Sequence, residues 1–175
     1  MRIKKQNANE RSARKISQLY TLEVCLLSGP VTEKFAKKNP TVSRTIQIRG
    51  DQTLEELHQA IFQAFGRWEQ HMYEFQIGGK GPMDPKARRY VLTGAYEEPL
   101  SDVPRPDGDV TRTAVDALDL KVDDAFGYWF DFGDDWWHQI NVVEIANAIP
   151  KGRYPRVVKR LGQNPPQYVD WDEEK

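Results

Sequence analysis

Three histidines carry most of the chemistry this chain could do. They are His58, His71 and His138, and the carboxylates Asp131, Asp134 and Asp135 lie close to the third in sequence. An imidazole beside a carboxylate can ligate a metal or move a proton in general acid–base work. The spacing makes no known metal signature, since there is no His-Glu-x-x-His and no Asp-rich calcium loop. The sequence therefore assigns no metal and no cofactor. The competing role is structural: imidazoles at the edge of a core, bonded to backbone or to an Asp, with the acids shaping a turn. Trp136 completes the candidate set. It and Trp137 must point to opposite faces of a strand, so one packs inward and the other is offered to a ligand or partner.

Other reactive arrangements fail. Cys25 is the only cysteine, it has no histidine beside it, and it can form no intrachain disulfide. There is no Gly-x-Ser-x-Gly elbow, and Gly78-Gly79-Lys80-Gly81 lacks the spacing of a phosphate loop.

The elements that must hold these residues can be read from periodicity. Tyr20 to Leu27 alternates, with Tyr20, Leu22, Val24 and Leu26 on one face, and Val42 to Arg49 alternates again. A polar loop joins them, so the two strands are expected to pair antiparallel. Thr53-Leu-Glu-Glu56 is a capping box, and Leu54, Leu57, Ile61 and Phe65 follow at helical spacing before Gly66. This predicts an amphipathic helix over 54–65, with His58 on its apolar face. A strand is expected from His71 to Ile77, with His71 sharing the parity of Tyr73 and Phe75. Residues 80–112 are rich in Pro and Gly and read as loop, with a short edge strand near 88–92. A hairpin follows: Phe126, Tyr128 and Phe130 alternate, Gly133-Asp134-Asp135 supplies turn chemistry, and Trp136 to Ile145 returns. His138 has the parity of Ile140 and Val142 on that return strand.

Charge is unevenly placed on a chain of 175 residues with a formal net charge of −1. Residues 1–18 hold Arg2, Lys4, Lys5, Arg11, Arg14 and Lys15 against Glu10 alone, and 169–175 is an acidic tail. A basic arm of this kind is expected to be disordered, and it can touch phosphate weakly without reading sequence, so weak nucleic-acid contact through 1–18 is a candidate property. No apolar run approaches the roughly 18 residues that span a bilayer, and no apolar stretch follows the basic start. The expected setting is cytoplasmic, with no membrane, and the expected state is a monomer.

Three stretches together carry a family resemblance: TLEELHQAIFQAFGRWEQHMYEF (53–75), FGYWFDFGDDWWHQINV (126–142) and GQNPPQY (162–168). They resemble the plasmid pRiA Orf-three-like family, whose members occur on plasmids, in mobile elements and in bacterial and archaeal chromosomes. Leu57-His58, His71-x-Tyr73-x-Phe75 and Asp131-Phe-Gly-Asp-Asp-Trp136-x-His138 each match its pattern. Arg44 stands where the family has a Trp-Arg pair, here without the Trp, and Pro165-Pro166 runs into Gln167-Tyr168 where an acidic Cys-Gly-Gly ending is common. The resemblance implies an α+β fold with a mixed or largely antiparallel sheet covered by one main amphipathic helix, over a single domain of residues 19–168. It implies no biochemical activity.

The functional reading is a binding or accessory module. Its rivals are a metal- or acid–base-dependent enzyme using a His/Asp pocket and a nucleic-acid accessory protein using the basic arm. The candidate pocket comprises His58, His71, Asp131, Asp134, Asp135, Trp136 and His138, with the hairpin and His71 as one wall and His58 reaching it from the helix.

Overall fold

The computed structural model describes residues 17–95 and 104–171. The basic stretch 1–18 lies outside them except for Ser17 and Gln18, and the acidic tail lies outside them beyond Trp171. The chain order is β1 (Leu19–Ser28), α1 (Glu33–Lys38), β2 (Ser43–Arg49), α2 (Leu54–Ala64), β3 (Tyr73–Ile77), β4 (Arg88–Val91), β5 (Gly108–Asp109), β6 (Ala125–Phe130), β7 (Trp136–Ala146) and β8 (Arg156–Leu161). The strands form one eight-stranded sheet in the order β5-β4-β3-β6-β7-β1-β2-β8. Every neighbouring pair is antiparallel except β4 with β5, so this is an α+β fold with a mixed sheet.

The first strand pair and the hairpin form as their alternation predicts. Val24 lies opposite Arg44 in β1–β2, and Tyr128 opposite His138 in β6–β7. Helix α2 begins where its capping box places it: the Thr53 hydroxyl accepts the Glu56 amide and the Glu56 carboxylate accepts the Thr53 amide. Its buried residues Leu54, Leu57, Ile61 and Phe62 join one core with Leu22, Val24, Ile46, Phe75, Tyr128 and Ile140 from the strands. That shared core fixes one face of the sheet toward the helix and leaves Trp129, Trp137 and Gln139 on the other.

Several expectations need correction. The loop after β1 contains α1, a six-residue helix capped by Thr32 with no buried residue and so no apolar period to reveal it. Residues 156–161, to which periodicity assigns no element, form the edge strand β8, paired with β2; five of its six residues are exposed, so no alternation marks it. The strand expected from His71 begins at Tyr73. In the hairpin turn the left-handed conformation falls on Asp131 (φ 57°) and Asp135 (φ 54°) and not on Gly133. Asp tolerates it because its short carboxylate bonds the local backbone: Asp131 Oδ1 accepts the amides of Gly133 (3.1 Å) and Asp134 (3.3 Å).

Candidate functional site at the end of helix α2

The loop that leaves α2, residues 66–72, sits where the helix, the hairpin turn and the C-terminal segment meet. Two arginines hold its base. Arg44 is 1% exposed; its Nε donates to the Ala64 carbonyl at 3.0 Å, and Nη1 and Nη2 donate to the Leu161 carbonyl (2.7 Å) and Asn164 Oδ1 (2.6 Å). Arg160 donates to the same Ala64 carbonyl. Cations at this end complement the partial negative charge of a helix C-terminus. Gly66 then turns the chain with φ 68°, and a Cβ there would lie 2.5 Å from Asn164 Nδ2. Gln167, itself buried, clamps the next residues: its Oε1 accepts the Trp68 and Glu69 amides at 2.9 and 3.2 Å, and its Nε2 donates to the Glu69 carbonyl at 2.8 Å. The GQNPPQY stretch is thus the strap that fixes the loop.

On the outside of this loop lies a connected polar chain. Tyr168 donates its hydroxyl to Glu69 Oε2 at 2.7 Å, so His71 Nε2 must carry the proton it shares with the Tyr168 oxygen at 2.8 Å. The same nitrogen stands 3.5 Å from Asp131 Oδ2. The Tyr168 hydroxyl is pushed up to about 12, first by its hydrogen bond to Glu69, then by desolvation, and further by the charges of Glu69, Asp131 and Asp134. Trp68, 70% exposed, stands edge-on to Tyr168 with ring centres 5.6 Å apart.

Beneath it the other two histidines are interior. His58 stacks flat on Tyr73 at 3.5 Å, its Nε2 donates to Gln70 Oε1 at 3.3 Å, and its Nδ1 accepts the Tyr128 hydroxyl at 2.8 Å. Burial lowers it to about 4. Burial, with the Arg67 charge second, lowers His138 to about 3. Neither nitrogen of His138 makes a close side-chain hydrogen bond, and the polar groups acting on it are the Tyr128 and Trp136 backbone. Arg67 lies over the Trp136 indole, 3.6 Å from the ring centre, and burial lowers it to about 10.

The seven expected site residues therefore share a neighbourhood but not one pocket. His71 and Asp131 meet. His58 does not reach them, because Phe130 lies between, 6.2 Å from the His58 ring and 5.9 Å from that of His71. Its partners are Tyr128 and Gln70 where an Asp was expected. His138 is buried against Phe65 and Tyr128, away from any carboxylate bond. Asp134 bonds through its amide to Asp131, and Asp135 accepts the Trp129 indole N–H on the opposite face at 3.0 Å. Trp136 is the inward indole, fully buried, while Trp137 stacks on Trp129 at 4.6 Å. No three His, Cys, Asp or Glu among the described residues are grouped to hold a metal ion. The residues missed from sequence are Arg67, Trp68, Glu69, Gln167 and Tyr168. Two of these lie in GQNPPQY and three in the 53–75 motif, so motif membership was the available signal.

Comparison with known proteins agrees with this architecture. The sequence model of the plasmid pRiA4b ORF-3-like protein family matches residues 32–171. An uncharacterised protein of Sinorhizobium fredii, y4hQ, is 27% identical over 133 residues, 74% of this chain, and the match spans only 60% of that relative's length. The crystal structure of a protein of unknown function, MM3350, from Methanosarcina mazei Go1 superposes with a TM-score of 0.62 over 83% of this chain and 70% of the other, at 18% identity, which speaks for the fold alone. The chain belongs to the plasmid pRiA4b ORF-3-like family. Among the described residues no helix is long and apolar enough to cross a membrane.

Proposed function

We propose that this member of the family is a binding module, and that its recognition face is the strapped 66–72 loop with Tyr168. The face takes an arginine or lysine side chain from a partner polypeptide. The observation that carries this is the exposed Trp68–Tyr168 pair beside Glu69, His71, Asp131 and Asp134. An indole face attracts a cation, and nearby carboxylates supply the complementary charge. Rigid presentation supports the same reading, because a loop already ordered by Gln167 gives up little entropy on binding. In this reading α2 is the main cover of the sheet and the anchor of the loop. Residues 19–168 act as one monomeric, cytoplasmic, mobile-element-associated unit, and the basic stretch 1–18 adds weak, salt-sensitive phosphate contact.

The acid–base reading draws on the chain from Asp131 through His71 and Tyr168 to Glu69 and is set second. Its central proton, on Tyr168, is held well above neutral pH, and its donors are already engaged with one another. His58 and His138 are neutral and face inward, outside any such chain.

The test is a calorimetric titration of a hexa-arginine peptide, with a hexa-glutamate peptide as control, at physiological ionic strength. The arginine peptide is expected to bind and the glutamate peptide not. Trp68→Ala should weaken binding about ten-fold, the scale of a partly desolvated cation–π contact. Equal affinity for both proteins would overturn the proposal.

A further inference from the structure

Buried polar atoms in folded proteins nearly always have hydrogen-bonding partners, and those that lack them call for an explanation. Here the described side-chain atoms without one are Arg67 Nη1 and Nη2, Trp136 Nε1, and both ring nitrogens of His138. They belong to one cluster. The Arg67 guanidinium lies 3.6 Å from the centre of the Trp136 indole, Trp136 and His138 are neighbours on the inward face of β7, and the Arg67 charge reaches His138. Arg67 is 7% exposed, His138 2% and Trp136 0%.

We propose that Arg67, Trp136 and His138 form an interior binding site for a small monovalent anion. The chemistry of the donors decides the class. Arg67 offers N–H groups only and Trp136 offers one N–H, while neutral His138 brings one N–H that faces the Tyr128 and Trp136 backbone and one acceptor nitrogen, so donors outnumber acceptors in the cluster. The cluster is also cationic. Arg67 remains charged at neutral pH even with its affinity for the proton lowered to about 10, whereas His138 is uncharged there. The carboxylates whose charge reaches Arg67 are Asp131 and Asp134. Asp131 is engaged with His71 and with the turn amides, and no ion pair joins either carboxylate to the guanidinium. A buried charge is tolerated when a counter-charge accompanies it, and a monovalent anion at the Nη edge meets both the charge and the donor count. The neighbouring rings are aromatic, Phe130 beside Arg67 and Phe65 and Tyr128 beside His138, so the N–H groups of the cluster are set among apolar faces.

The site is distinct from the surface face proposed above, and its probes are chloride and bromide ions. Thermal unfolding is followed while chloride replaces gluconate at constant ionic strength. Chloride should raise the midpoint in a saturable way. Trp136→Phe, which keeps a ring but removes the indole N–H, should move the chloride dependence to about five-fold higher concentration, and Arg67→Met should abolish it. Crystals of the unaltered protein grown in bromide should show an anomalous peak against the Arg67 Nη atoms, a result that does not depend on either variant folding. Superimposable chloride and gluconate curves, or a water molecule or the Asp134 carboxylate at the Nη edge in the bromide crystals, would overturn the site.

Discussion

His71 and His138 lie in the same corner of the molecule and live by different rules. His71 sits at the rim, a third exposed; its Nε2 bonds the Tyr168 hydroxyl and stands 3.5 Å from Asp131 Oδ2. His138 lies on a strand in the core, with no side-chain hydrogen bond and only the Tyr128 and Trp136 backbone acting on its ring. At the rim, polar groups satisfy one another and water is near, so the cost of rearrangement is small. In the interior, desolvation dominates, and His138 and Arg67 are both pushed toward their neutral forms. The rim is therefore suited to taking a side chain from a partner polypeptide, and the interior admits nothing larger than a small ion among fixed donors.

The largest test of this contrast is Trp136→Ala. Trp136 is fully buried, and a Cβ on Gly29 would already lie 2.2 Å from its ring, so the indole is packed against backbone as well as side chains. Removing it should cost about 3–5 kcal/mol in urea denaturation, the usual range for a buried Trp. A loss under about 1 kcal/mol would mean the interior cluster is not part of the packed core.

Acid should separate the two regions next. His58 and His138 hold fewer protons folded than unfolded, since their folded values fall to about 4 and about 3. Their contribution to stability is complete above the unfolded value of about 6.5 and declines as pH falls from there toward 4. Denaturation should show little change from pH 7.5 to 6.5 and a fall of about 1–3 kcal/mol per pH unit from 6.5 to 4.5. His138→Phe should flatten part of the slope. A flat profile would show that these imidazoles titrate as they do in water.

Much of this fold was legible in the sequence, and the reason is local. The capping box of Thr53 and Glu56, the apolar spacing Leu54-Leu57-Ile61 and the alternation through Phe126, Tyr128 and Phe130 each report a structure set by near neighbours. β8 was not legible, because it is an edge strand whose register comes from β2, about 110 residues away in sequence, and not from an apolar face of its own. The site was half legible. The histidines and Asp131 were visible as residue types, but His58 and His71 were expected to meet, and Phe130 keeps them apart. Arg67 was invisible for a different reason: an arginine after a helix reads as solvated, and only the packing of Trp136 beneath it makes it interior.

A smaller effect tests the strap. Gly66→Ala places a Cβ against Asn164 at a left-handed position, and should cost about 1–2 kcal/mol while weakening the peptide affinity of the rim. Smaller still, Trp68→Ala should change stability by no more than about 0.5 kcal/mol, because the indole is mostly in solvent. If it unfolds the protein, Trp68 belongs to the core and the contrast between rim and interior fails.

The central claim is that the rim, and not the interior, takes the partner polypeptide. The chain has five tryptophans, whose indole N–H signals can be followed separately by NMR during addition of hexa-arginine. The Trp68 signal should move progressively with peptide, with saturation at one equivalent of sites, while the Trp136 signal stays in place. A stationary Trp68 signal, with the shifts confined to Trp129 and Trp137 on the opposite face of the sheet, would contradict the account.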